Sequence, residues 1–136
     1  MNESHKYYDP TSVAAARGGY SQAVEVMPDS RYLFISGQIP VQLDGAVPET
    51  FTAQCHAVWD NVFAVLSGAG YEPKDLVKVT TFLSSSTYGE LNGTIRRERL
   101  GNLRPALTVV IAGIYDQSWL LEIDAVAARS TGAFPR

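Results

Sequence analysis

Residues 51–83, FTAQCHAVWDNVFAVLSGAGYEPKDLVKVTTFL, carry the reading that decides the fold. Phe51, Cys55, Val58, Val62, Leu66 and Ala69 recur at spacings of three and four, which places them on one face of an α-helix. Gly68 and Gly70 stop that helix. Leu76-Val77-Lys78-Val79-Thr80-Thr81-Phe82-Leu83 then turns β-branched and predicts a strand.

Working outward, Ala23-Val24-Glu25-Val26 and Arg31-Tyr32-Leu33-Phe34-Ile35-Ser36 read as strands joined through Pro28-Asp29-Ser30. A turn-forming cluster between strand-like runs predicts a hairpin. Residues 1–16 lack a period and are expected to form a tail with one short strand, and residues 40–48 an irregular connection turning at Asp44-Gly45. Past the middle strand, Ser84-Ser85-Ser86 offers N-caps for a second helix from Thr87 to Leu100, which Gly101-Asn102 closes. Ala106–Ala112 and Trp119–Ala127 are apolar strands with a turn at Tyr115-Asp116-Gln117-Ser118, and residues 129–136 form a second tail. The expected order is hairpin, helix, strand, helix, hairpin.

A chain of 136 residues suits one domain. Its 46% hydrophobic and 18% charged content places it among ordinary globular proteins. Two strand–helix–strand units predict an α+β fold, a mixed sheet with both helices on one face. Yet Leu33-Phe34-Ile35 and Val109-Val110-Ile111 are apolar at consecutive positions, so both faces of these strands carry hydrophobic side chains. Two helices cannot bury both. The bare face is expected to be covered by other subunits.

Net charge -3 and a pI near 5.3 disfavour a nucleic-acid partner. No apolar run approaches the ~20 residues that span a bilayer, so no membrane association is expected. A lone cysteine, Cys55, allows no internal disulfide and no cysteine-cluster metal site, and cytoplasmic localisation is expected. Cys55 lies on the apolar stripe as an inert thiol. His5 and His56 have no metal-site spacing, so no metal or cofactor is expected. Trp59 and Trp119 are expected to be packing residues.

Six ordered segments carry a family resemblance: Gly18-Gly19-Tyr20-Ser21-Gln22, Ser36-Gly37-Gln38-Ile39-Pro40, Ala69-Gly70 with Asp75 and Val77-Lys78, Asn92, Pro105-Ala106, and Glu122-Ile123-Asp124-Ala125-Val126-Ala127. Each is weak alone, but as an ordered set over residues 18–128 they make the chain resemble the RidA (YjgF-type) imine deaminases. The resemblance implies a RidA/chorismate mutase-like fold, a homotrimer whose sheets form a central barrel, and small-molecule sites in clefts between subunits. Active members of that family grip a 2-imino carboxylate with the Arg of a Pro-Ala-Arg segment. Here the segment reads Pro105-Ala106-Leu107, which removes the charged clamp. Four arginines, Arg96, Arg97, Arg99 and Arg104, stand nearby. The first three read as a solvated helix surface. Arg104, beside the strand entrance, is the better ligand contact.

Glu122 sits where the family keeps its acid, and is expected to position or deprotonate the water that attacks an imine carbon. The structural alternative is an anchor paired with Lys78 or an arginine. Asp124 is two residues on, about 6.6 Å along the strand on the same face, and is expected to be structural. Tyr20, Ser36, Gly37 and Asn92 supply a ring, a hydroxyl, an approachable amide and a carboxamide for a polar planar ligand, whereas Gln38 reads as structural. The expected activity is hydrolysis of reactive imines or enamines without a cofactor, with the substrate altered by Leu107. A non-catalytic binding or regulatory module is the alternative. A ribonuclease is disfavoured by the acidic charge and the lack of a histidine pair.

Overall fold

The computed structural model describes residues 2–135; positions 1 and 136, the outer ends of the two expected tails, lie outside the described residues. Strands β1 (His5–Tyr8) and β2 (Ala23–Val26) precede β3 (Arg31–Gln38) and helix α1 (Phe51–Gly68). Strand β4 (Leu76–Leu83), helix α2 (Gly89–Leu100), β5 (Ala106–Ile111) and β6 (Leu121–Arg129) complete the fold. Four strands form one mixed sheet in the order β3-β6-β4-β5, and β1 and β2 pair separately.

Neither expected hairpin forms. β2 pairs antiparallel with β1, from His5 opposite Val26 to Tyr8 opposite Ala23, instead of with β3. The cause lies in β1's own anchors: His5 Nε2 donates to the Ala128 carbonyl at 3.0 Å, and Met27 N donates to Ser4 O at 3.3 Å. β6 likewise bypasses β5 and runs antiparallel between β3 and β4. Its alternating Leu121, Ile123, Ala125 and Ala127 are almost wholly buried, and only a central strand has neighbours on both sides to bury them. β4 and β5 are parallel, with α2 as the expected crossover.

Thr50 caps α1 by accepting from Ala53 N at 3.2 Å, and Gly70 follows its end at φ 82°. The helix buries Cys55, Val58, Trp59, Val62 and Leu66 against Leu121, Ile123, Val79 and Leu83. Ala69, expected on the stripe, is the exposed C-cap. The Ser85 side chain accepts from Thr87 N and starts a short 3-10 turn, so α2 begins at Gly89, two residues later than expected. No helix among the described residues is long and apolar enough to cross a membrane.

Both helices lie on one side of the sheet. On the other, Phe34 is 78% and Tyr32 52% exposed, and Val110 of edge strand β5, opposite Phe82 in the ladder, is exposed as well, while Val109 and Ile111 share the helix-side face of Leu107 and are exposed at the sheet edge. This is the uncovered apolar face expected from the consecutive apolar positions.

Gln54 joins these layers from inside. Its Nε2 donates to the Pro48 and Ser118 carbonyls at 2.8 and 2.9 Å, and its Oε1 accepts from Leu120 N at 2.8 Å. Leucine would leave three partly buried backbone groups without their present partner. Because each such group costs about 1–3 kcal/mol, Gln54→Leu should lower unfolding stability by at least ~2 kcal/mol in urea titrations. A change below ~0.5 kcal/mol would show that water replaces the amide.

Candidate functional site

The site begins with a bulge. Ile35 faces Ala125 and Gln38 faces Ile123, so Ser36 and Gly37 of β3 stand where β6 offers only Asp124. The extra residue bends the edge strand, and Gln38 Nε2 donates to Ser36 O at 3.0 Å across it. Onto this bend Glu122 lays its carboxylate. A Cβ at position 37 would stand 2.0 Å from Glu122 Oε2 and 2.7 Å from its Cδ. A side chain at position 37 would thus compete with the Glu122 carboxylate for space, and the backbone angles themselves do not demand glycine, since φ is not positive.

Glu122 pairs across the ladder with Phe82, and both line a cleft of about 260 Å³ with Gly113, Ile114 and the exposed Tyr115. Among the described residues no cation pairs with Glu122 or Asp124, and Lys78, the partner considered for Glu122, donates instead to Thr108 Oγ1 at 2.6 Å. An unpaired carboxylate beside apolar walls can accept a proton from water or from a ligand N–H. A larger cavity of about 410 Å³ lies at the seam of the chain ends, but its Arg129 is already held by Glu72 and Asp75.

The remaining expected contacts gather elsewhere. Ser21 N donates to Pro105 O at 3.3 Å and Ser21 bridges Ala106, which sets Tyr20 at the entrance of β5. Leu107 pairs with Val79 and packs against the core on the helix side, while Asn92 is buried on α2. Arg104 lies 3.7 Å from Asp9. β3 and β5 are opposite edges of the sheet, three strand spacings or roughly 14 Å apart. One chain thus brings Ser36, Gly37 and Glu122 together at one edge and Tyr20, Asn92 and Leu107 at the other.

The arginine cluster corrects the sequence reading. Arg96 is only 6% exposed, and its Nη2 donates to Gly18 O at 2.6 Å. Arg97 is exposed and packs on Gly19, without ion pairs to Glu90 or Glu98. Arg99 is bound to Asp60 and His56 and lies over the Phe63 ring. The burial of Arg96 had a legible signal: Asn92, Ile95, Arg96 and Leu100 share one helical face. Phe82, Ile114 and Tyr115 had none, because their approach to Glu122 depends on β6 lying beside β4.

A helix layer on one sheet face, with a carboxylate over a glycine bulge, defines a two-layer α+β domain with a cleft beside Glu122. Residues 11–129 match the sequence profile described as Endoribonuclease L-PSP. A RutC family protein of Pyrococcus horikoshii is 33% identical over 113 residues, covering 81% of this chain and 86% of its own. The 2-iminobutanoate/2-iminopropanoate deaminase of Escherichia coli K12 is 32% identical over 119 residues, covering 85% and 91%. Among solved structures, the Rid family protein YyfB of Yersinia pestis superposes with a TM-score of 0.82 at 25% identity over 93% of this chain and 99% of its own. E. coli TdcF with bound serine gives 0.70 at 27% identity, over 92% and 99%. The chain belongs to the Rid (Endoribonuclease L-PSP) family.

The contact between Gly37 and Glu122 should appear in a double-mutant cycle. Gly37→Ala forces the Glu122 side chain aside and should destabilise by about 1–3 kcal/mol. Most of that loss should vanish in a Glu122→Ala background, measured by urea unfolding of all four proteins. Strictly additive effects would show that the two residues do not press on one another.

Proposed function

We propose that the protein hydrolyses small reactive imines or enamines, releasing ammonia, at sites completed by a second copy of the chain. The observation that carries this reading is the unpaired Glu122 carboxylate resting on Gly37 at the mouth of a cleft. Relatives named as 2-iminobutanoate/2-iminopropanoate deaminases support the chemistry. In the reaction a water oxygen bonds to the imine carbon while Glu122 accepts one of its protons. That proton passes to nitrogen to give a carbinolamine, and then the carbinol O–H gives up its proton, through Glu122, to the nitrogen as the C–N bond breaks, so that ammonia leaves and the carbon becomes a carbonyl. Ser36 and the Gly37 amide hold the substrate at Glu122. Tyr20, Asn92, Leu107 and Arg104 belong to the opposite edge, and reach the same ligand from a neighbouring subunit of a homotrimer.

Leu107 favours the second reading, a binding or regulatory module without turnover, because it supplies no charge at the entrance of β5. One relative is named a mitochondrial protein, so the expected cytoplasmic location is part of the proposal. Both histidines are engaged structurally, His5 with Ala128 O and His56 with Arg99, which gives no support to ribonuclease chemistry.

The assay is semicarbazide trapping of enzymatically generated 2-iminopropanoate. The protein should accelerate loss of the trapped signal above buffer, and Glu122→Gln should reduce the acceleration at least ~100-fold, within the range expected for a lost general base. A rate equal to buffer for the unaltered protein would leave the binding module as the better account.

A further inference from the structure

Among the described residues, Arg96 is a buried cation without a counter-charge. The charged and polar groups that act on it are Arg97, Tyr20 and Cys55, with no carboxylate among them. Burial pushes the Cys55 thiol up to about 12, so it stays neutral at physiological pH and cannot balance the guanidinium. Burial first, and then Arg97, lower the pKa of Arg96 itself, as befits a cation held without an anion.

The hydrogen-bond inventory of this corner is also unfinished. Nε and Nη2 of a guanidinium form one fork with two parallel donors. In Arg96 the Nη2 tooth is held by the Gly18 carbonyl, while Nε is buried and unpaired. One turn earlier, Asn92 Oδ1 is buried and equally without a donor. Over Arg96 lies Gly18-Gly19, with φ of 104° and 79°, against which Arg96 and Arg97 pack. A carbonyl fills half a fork, whereas a carboxylate fills both teeth and makes charge-assisted bonds about twice as strong.

Two of the neighbouring arginines are committed elsewhere, Arg99 to Asp60 and Arg104 to Asp9, which leaves Arg97 beside Arg96. Arg96 also lies at the correct edge. It grips Gly18, two residues before Tyr20, and Ser21 bridges Ala106, the neighbour of Leu107.

We infer that Arg96, with Arg97, Asn92 and Tyr20, is a binding corner for the α-amino or α-imino acid class. The carboxylate takes the Arg96 fork in exchange for the Gly18 carbonyl. The ligand's N–H donates to Asn92 Oδ1, and Arg97 adds the second positive charge. Carboxylate recognition is thereby moved from strand β5, where Leu107 stands, to helix α2. The inference deepens the proposed function and rests on it for the substrate class, but binding can be tested without turnover.

The first measurement is binding of pyruvate, the stable keto-acid product, against its neutral amide, followed through the arginine Nε–H resonances of ¹⁵N-labelled protein. Pyruvate should shift the Arg96 signal, identified by its absence in Arg96→Lys, and pyruvamide should not. In the second, Arg96→Gln should raise the pyruvate dissociation constant at least tenfold and leave that for pyruvamide within twofold. Adding Leu107→Arg to Arg96→Gln should recover most of the loss. If Arg96→Gln does not fold, the resonance test in the unaltered protein still decides. An unmoved Arg96 signal at saturating pyruvate overturns the inference, as does unchanged pyruvate affinity in folded Arg96→Gln. Pyruvate binding through Arg96 without 2-iminopropanoate hydrolysis would keep the corner and reject the deaminase reading. Hydrolysis indifferent to Arg96→Gln would do the reverse.

Discussion

Everything in this molecule follows from β6 running antiparallel between β3 and β4. Its inward row of Leu121, Ile123, Ala125 and Ala127 is the floor on which α1 packs, so the strand sits at the centre of the core. Its outward row carries Glu122 and Asp124 on the face that the helices leave bare. Because β6 occupies the middle, β3 and β5 are driven to opposite edges. That placement lays Glu122 over Gly37 on one side and leaves Tyr20, Asn92 and Arg96 beyond reach on the other. The division of the groups proposed to contact ligand between two edges is a consequence of topology, not of side-chain choice.

Electrostatics divides along the same line. Among the described residues, Glu122 and Asp124 have no cation partner at one edge, and at the Tyr20 edge Arg96 and Arg97 have no carboxylate partner, whereas Arg104 faces Asp9. Unpaired charges of opposite sign are costly where they are buried, and each is relieved by a ligand of complementary charge. In the proposed reading an imino acid offers its carboxylate and N–H to the Arg96 and Asn92 edge, and leaves its imine carbon for the water held at the Glu122 edge. Apposition of two copies through the exposed Phe34, Tyr32 and β5 side chains would bury apolar surface while joining the edges.

The elements were legible wherever local periodicity decided them. α1 and β4 match their expected spans, because a three-four stripe and a β-branched run do not depend on distant partners. Strand pairing was not legible: Pro28-Asp29-Ser30 and residues 115–118 both carry turn chemistry, but turn residues do not determine which ladder a strand joins. Long-range anchors such as His5 to Ala128 and the burial of β6 determined that instead. At the site, Ser36, Gly37 and Glu122 were found through resemblance. The competition between a side chain at position 37 and the Glu122 carboxylate depends on the bulge that sets one under the other. Arg96 was misread because charge was weighed above helical phase, although its spacing from Asn92 and Leu100 already placed it on the buried face.

The central claim is that one working site takes residues from two chains, and mixed assemblies test it most directly. Glu122→Gln and Asn92→Ala chains, each inactive alone, would be co-refolded in equal amounts and assayed for imine hydrolysis. Random assembly leaves about a quarter of the interfaces with both intact edges, so about a quarter of the unaltered rate should return. A mixture no more active than its separate components would contradict the account, because it would place Glu122 and Asn92 in the service of a site within one chain.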